Sequence, residues 1–305
     1  MIRKIRGRAA MARLGILPAA MAAVLLMAGT AGAATTWTRE PVPQSGPADG
    51  PILQSVSCPT ATACMTVSGG GGTGGSVGGA FTDYWNGTSW TLETIPSAAT
   101  TNLTAVSCRT AAWCIAVGST SSAHPKPVTL LWNGTRWAAR AVSMPAGDTS
   151  GTLDGVSCVS TSDCVAVGGG DPTTFSETWN GSKWTPVDMP GTGDDLLGVS
   201  CTAATSCVAV GGGDNGLTDV ADSWNGTSWT ALTLPSVGGY GDLKAVSCSS
   251  VSSCTAVGVD GDGGARALID QWNGTTWTNQ PNTGAGSTSS ELWGVVLRHR
   301  LHRGG

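Results

Sequence analysis

Ten cysteines fall into five pairs, each with five residues between its members: Cys58/Cys64, Cys108/Cys114, Cys158/Cys164, Cys201/Cys207 and Cys248/Cys254. Thiols at this spacing could bridge or hold a metal. A structural zinc site needs four ligands and each pair supplies two, and none of the three histidines (His124, His299, His302) belongs to the repeated motif. An even count with none left over, in an exported chain, reads as five local disulfides.

A second constellation sets carboxylates beside indoles. Trp-Asn-Gly triplets begin at Trp85, Trp132, Trp179, Trp224 and Trp272, and a second tryptophan follows each five residues later, at Trp90, Trp137, Trp184, Trp229 and Trp277. These ten indoles are the expected blade core. Asn-Gly is a strong signal for a two-residue hairpin turn. That register predicts Trp85 opposite Thr88 and Asp83 opposite Trp90, and it likewise predicts Glu177 opposite Trp184, Asp222 opposite Trp229 and Asp270 opposite Trp277, with Leu130 the exception. Each acid would then accept an indole N–H while the rings fill the space to the next unit. An acid-plus-aromatic sugar subsite is the other reading. The Asn-Gly-Thr/Ser triplets also match the N-glycosylation pattern, but the turn accounts for them.

The third set of acids lies in glycine-rich segments that differ from unit to unit: Asp148, Asp171, Asp195, Asp214, Asp242, Asp260 and Asp262. These are the candidate ligand loops. No cofactor or metal is expected. Calcium is the class the loops come nearest to, but it needs six to eight oxygens, and Asp260-Gly-Asp262-Gly is too short for an EF-hand loop. No catalytic residue is assigned. His124 stands alone in a Pro/Lys segment, so no Ser-His-Asp set can be assembled, and no pair of acids stands out for glycoside hydrolysis.

The elements that must position these residues repeat. Steps of 47, 47, 45 and 48 residues separate the Trp-Asn-Gly triplets, a period that signals stacked or radial units. Each unit holds four short strands: Leu-x-small-Val-Ser-Cys, then Cys-x-Ala-Val-Gly, then the two strands flanking Asn-Gly. The first pair forms a hairpin that the disulfide staples, worth about 2 kcal/mol for so short a loop. The fold class is therefore all-β: a β-propeller of four-stranded blades, with repeats at 52–96, 102–145, 152–190, 196–235 and 243–281. Residues 36–43 match an isolated fourth strand and 292–296 an isolated first strand, so a sixth blade shared between the two ends is expected, giving a propeller over 34–297.

Residues 1–33 carry five basic residues, an apolar run and Ala31-Gly-Ala33, the pattern of a cleaved secretory signal. Its removal takes the net charge from -4 to -9. An acidic body argues against nucleic acid or an anionic membrane as partner, and no other segment is apolar enough to span a bilayer. A secreted, extracellular chain follows. The basic tail at 298–305 breaks the pattern. Read one base later, its codons give Ser-Cys-Val-Thr-Ala-Ser-Thr, partly restoring the repeat, so a frameshifted or truncated end stands beside an ordinary basic tail.

The second strand ending in glycine, a variable loop, then an aromatic strand, a turn and Trp-x6-Pro resembles the kelch type of propeller, most closely in Cys207-Val-Ala-Val-Gly-Gly212 followed by Trp224 to Pro235. Trp-Asn-Gly-x-x-Trp is also similar to the turn of bacterial propeller lectins. The resemblance spans 36–295, although kelch repeats lack this cysteine pair and the tyrosine before the turn occurs only at Tyr84. It implies the fold more than the activity. The expected function is a non-enzymatic binding module that recognises a glycan or an extracellular protein through the variable-loop face. The alternatives are a carbohydrate-active hydrolase or lyase on the same scaffold, or an inactive truncated copy.

Overall fold

The structure, a computed structural model, describes residues 52–69, 79–96, 101–191, 195–213, 218–236, 240–261, 266–281 and 290–296. The expected signal peptide, the strand at 36–43, the tail, Asp214 and Asp262 lie outside them. No helix among the described residues is long and apolar enough to cross a membrane.

The chain is all-β. Among the described residues five antiparallel four-stranded sheets follow one another, each with its strands in sequence order, and one two-stranded ribbon pairs Ser150–Gly151 with Gly170–Asp171. Blade 1 comprises Leu53–Thr60, Ala63–Ser68, Thr82–Trp85 and Trp90–Glu93; blade 2, Thr101–Thr110, Trp113–Thr120, Pro127–Trp132 and Trp137–Arg140. Blade 3 comprises Gly155–Cys158, Cys164–Gly168, Phe175–Trp179 and Trp184–Asp188; blade 4, Asp195–Ala203, Ser206–Gly213, Thr218–Trp224 and Trp229–Ala231. Blade 5 comprises Gly241–Ser250, Ser253–Asp260, Arg266–Trp272 and Trp277–Asn279. The first strand of every blade packs on the first strand of the next, the radial arrangement of a β-propeller rather than a linear stack.

One row of side chains explains the repeat. In blades 2 to 5 the two cysteines are direct cross-strand partners, and in all five blades the second cysteine pairs with the first tryptophan and that tryptophan with the second, as in Cys108↔Cys114↔Trp132↔Trp137. Opposed residues share a face, so each blade has a front carrying Cys–Cys–Trp–Trp. All five disulfides, Cys58–Cys64, Cys108–Cys114, Cys158–Cys164, Cys201–Cys207 and Cys248–Cys254, join neighbouring strands of one blade, with Cα–Cα 4.0 Å. The ring centroids of each tryptophan pair lie 5.4–5.6 Å apart. The fronts of blades 2 to 5 pack on the aliphatic backs of the preceding blades: Met65 and Val67 meet the front of blade 2, and Val165 and Val167 the front of blade 4.

Blade 1 departs from this uniformity at its cystine and its tryptophans. The ladder of its first hairpin runs to Ser57↔Met65, and Cys58 and Cys64 lie one step further in the same register, before the irregularity at Thr60↔Ala63. Their bridge spans the same Cα–Cα distance as the others, 4.0 Å. Cys58 is exposed and Cys64 half-buried, whereas Cys114, Cys164, Cys207 and Cys254, at the place of Cys64 in the other blades, are buried. Trp85 and Trp90 are likewise only half-buried, which corrects their placement in the core. The cause is shared: no blade among the described residues covers this front. Val56 is 60% exposed there, while its equivalent Val106 in blade 2 is 6% exposed. Trp272 is also half-buried, and the remaining seven tryptophans of the repeat are buried as expected.

The tryptophan register corrects the expected turn. Trp85 opposes Trp90, and Asp83 opposes Leu92. The loop has four residues, not two. Only its glycine takes a positive φ, 90–99° in the five copies, while the asparagine acts through its side chain. Asn86 Oδ1 accepts from the backbone N–H groups of Thr88 and Ser89 and from the Thr88 hydroxyl, and the Asn133, Asn180, Asn225 and Asn273 loops repeat the pattern.

The indole N–H groups also go elsewhere than expected. Trp132, Trp179, Trp224 and Trp272 donate to carbonyls of their own blade's cystine loop. Trp137 donates to Thr82 Oγ1 and Trp229 to Ser176 Oγ, hydroxyls on the preceding blade, so the acids do not receive them.

The serine of Val-Ser-Cys ties blades together at the axis. First strands are inner edges whose N–H groups need partners. Ser57, Ser107, Ser157 and Ser200 each accept the N–H of the next blade's first cysteine: Cys108 (2.9 Å), Cys158 (3.1 Å), Cys201 (3.0 Å) and Cys248 (3.0 Å). The small residue two places earlier reflects the same crowding, since a Cβ on Gly198 would lie 3.0 Å from Ala245 Cα. Ser157→Ala leaves the Cys201 N–H without its acceptor and should cost about 1–2 kcal/mol. Urea denaturation checks this, and an unchanged midpoint would refute the role.

Beside blade 5, Leu292 N–H donates to Gly258 O (3.3 Å), the bond that Leu153, at the approach to blade 3, makes to Gly118 O of blade 2 (3.4 Å). Residues 292–296 thus begin where a next first strand would start, although they form no ladder with the described residues.

Candidate functional site

The two rims of the disc differ. On one lie the five cystine loops and the five Asn-Gly loops, each Asn-Gly loop closed by its own hydrogen bonds. The other carries the connections that vary in length and composition, and it holds the acids singled out in the sequence.

The structure gives these acids different employment. Asp148 Oδ2 accepts from Thr173 Oγ1 at 2.7 Å, fastening two loops over the small ribbon, and Asp171 is exposed at the ribbon's end. Asp195 and Asp242 are not loop residues; they open first strands and stand near the axis. Asp195 covers Gly169 of the preceding blade, Asp242 covers Gly212, and Asp242 pairs with Lys244. Asp154 completes a row along this rim. Its carboxyl is pushed up to about 6 by burial, opposed by a hydrogen bond from Thr152 and reinforced by Asp195, and burial together with Asp242 raises Asp195 in turn.

Asp260 is the one of the described acids in this set that lines a cleft. The cleft, about 330 Å³, opens on the variable rim between the segment trailing blade 4 and the strands of blade 5. Ser236, Asp260, Arg266, Asn279 and Gln280 surround it, with Ala267 and Leu268 as its apolar part. Strand ends position them: Asp260 pairs with Arg266 across the second hairpin, and Asn279 pairs with Asp270, to whose carboxylate it donates at 3.1 Å. Sequence reasoning missed Arg266, Asn279, Gln280 and Ser236. Arg266, Asn279 and Gln280 lie at or beside strand termini and Ser236 in the segment trailing blade 4, where polar residues are ordinary, and only their convergence marks them. Among the described residues no group of three His, Cys, Asp or Glu side chains could hold a metal ion.

Three further carboxyls, Glu177, Asp222 and Asp270, are buried in the seams between blades, and Asp83, at the same place in blade 1, is buried on that blade's front. Both oxygens of Asp83 and of Glu177 lack a hydrogen-bond partner. Burial, with Glu93 adding to it, pushes Asp83 up to about 6, and burial alone pushes Glu177 up to about 8. Burial raises Asp270 to about 6 against the Asn279 hydrogen bond and with help from Asp219. Sealed from solvent, these groups belong to stability rather than to ligand chemistry.

No family model matches the sequence, and no curated protein matches it. Solved structures similar to it include YCF48 bound to a D1 peptide, 12% identical over 75% of this chain and 66% of that one, with a TM-score of 0.49. YCF48 from Cyanidioschyzon merolae is 13% identical over 78% of this chain and 87% of that one, with a TM-score of 0.39. A GH74 xyloglucanase from Xanthomonas campestris is 12% identical over 74% of this chain and 38% of that one, with a TM-score of 0.48. The chain spans just under two thirds of the first of these and well under half of the xyloglucanase.

Proposed function

We propose that this is a secreted, lectin-like binding module that recognises a glycan without turning it over, through the variable rim. The observation carrying this reading is the polar cleft between blades 4 and 5. A carboxylate, a guanidinium, two side-chain amides and a hydroxyl converge on about 330 Å³, a mixture of donors and acceptors suited to neighbouring sugar hydroxyls. Among the described residues the lining has a single carboxylate, Asp260, whereas glycoside hydrolysis by the usual route needs two. Export fits five disulfides, which persist in oxidising compartments.

A glycan array followed by calorimetry on the best hit tests it. Arg266→Ala and Gln280→Ala should each weaken binding about tenfold or more, the scale of a lost buried hydrogen bond to a charged or amide group, and no new reducing ends should form on prolonged incubation. Product formation, or full affinity in both variants, would overturn the proposal.

A further inference from the structure

The repeated seams between blades can be compared place by place, and the one between blades 3 and 4 differs from the one before it. On the back of each blade the residue after the second cysteine and the residue before the first tryptophan meet the next blade's front. In blade 1 these are Met65 and Tyr84, with Tyr84 stacked on Trp132 at 6.2 Å. In blade 2 they are Ile115 and Leu131, joined by Trp113 of the cystine loop. Blade 2 adds a cation: Arg109, just after Cys108, reaches across the seam so that Nη1 donates to Cys158 O at 3.4 Å.

In blade 3 the same four places hold Val165, Thr178, Asp163 and Val159. A leucine has become threonine, a tryptophan aspartate, and an arginine valine. The seam between blades 3 and 4 opens into a cleft of about 420 Å³ on the cystine rim, and all four of these residues line it together with Trp224 and Cys201. The Cys201 N–H bonds to Ser157 of blade 3 just as the Cys158 N–H bonds to Ser107 of blade 2. Cys201 also opposes Cys207 in the register in which Cys158 opposes Cys164. Its carbonyl therefore points into this seam as that of Cys158 points at Arg109.

We propose that this cleft receives an arginine side chain from a protein partner, in the position that Arg109 fills from within one seam earlier. The guanidinium donates to the Cys201 carbonyl and pairs with Asp163, a carboxylate that the filled seam lacks. The aliphatic stem lies against Val165 and Val187, and the Trp224 indole offers a cation a favourable edge of the pocket. Arginine fits better than a neutral ligand because the mouth carries an acid and no base, on a chain whose net charge is negative. The site lies on the opposite rim from the glycan cleft and stands or falls separately from it.

The probe is N-acetyl-L-arginine amide, titrated into the full chain with the indole N–H signals followed by NMR. Saturable binding is expected, with N-acetyl-norleucine amide at least tenfold weaker because it keeps the stem and loses the charge. Asp163→Asn should weaken the arginine probe about tenfold. Val159→Arg, which supplies from within the residue blade 2 already tolerates at this place, should abolish binding with an unchanged circular dichroism spectrum. Absence of binding to the wild-type chain, equal binding of the two probes, or full binding by both variants would overturn the proposal.

Discussion

Glu177→Leu should stabilise this protein, and far more at pH 8 than at pH 4.5. Glu177 occupies the middle of the seam between blades 2 and 3, between Ala166 and Pro186 on its own sheet, fully buried and with neither oxygen hydrogen-bonded. Burial raises its carboxyl from the ordinary 4.5 to about 8. A carboxyl whose folded value lies above its unfolded one costs nothing below the unfolded value, and it withdraws stability as pH climbs from there through the folded value. Between about pH 4.5 and 8 that withdrawal amounts to roughly 4 kcal/mol. Asp83 and Asp270, both pushed up to about 6, act in the same direction over a lower window. The protein should thus be most stable in mild acid, the reverse of a chain held by ion pairs. Leucine is the natural replacement because blade 2 carries Leu130 at the same register, between Ala116 and Ala139, and buries it. The urea midpoint should rise by the equivalent of about 1 kcal/mol at pH 4.5 and roughly 5 kcal/mol at pH 8. An equal gain at both pH values would show that packing, not ionisation, is responsible.

Much of the architecture is legible in the sequence because its signals are local and repeated. A cysteine pair with five intervening residues clips a hairpin, and a recurring unit of four short strands closes into a propeller. The Cys58–Cys64 pair shows the limit of that reading: its spacing matches the other four, yet its exposure follows from the uncovered front of blade 1, which no single repeat encodes. The tryptophan register escapes a reading of Asn-Gly as a backbone signal. In the structure the asparagine contributes a carbonyl that collects three donors, which is why threonine or serine follows the glycine. The constant spacing of five between tryptophans is the available clue: an even loop of four residues sets them opposite one another. The blade-to-blade serines are invisible in one repeat, since each serves the next. The acids are the least legible. Asp195 and Asp242 look like loop residues until the axial crowding shows that they begin strands, and Arg266 and Gln280 gain meaning only where strand ends from blade 5 meet the segment trailing blade 4.

The glycine late in the second strand of blades 2 to 5, the feature behind the kelch-like resemblance, has a steric cause that makes the second large prediction. In blade 4 the first strand carries a bulge: Leu196 pairs with Gly211 and Gly198 with Val210, leaving Leu197 unpaired. The bulge swings the Asp195 carbonyl over Gly211, and a Cβ there would sit 1.9 Å from that oxygen and 2.8 Å from Leu196 Cα. Gly118, Gly168 and Gly258 meet the same obstacle at 1.9–2.0 Å. Both sides of the clash are backbone, so no side chain can move aside, and Gly211→Ala must shift a strand in a packed interior. The expected loss is about 3 kcal/mol or more. Blade 1 is the exception, with Ser68 at this place opposite Leu53. Gly294→Ala is the control, with nothing within 4 Å of its added Cβ, and should change stability by less than about 0.5 kcal/mol. Thermal melts of the two variants side by side decide the matter: if both behave alike, the bulge is not what requires glycine.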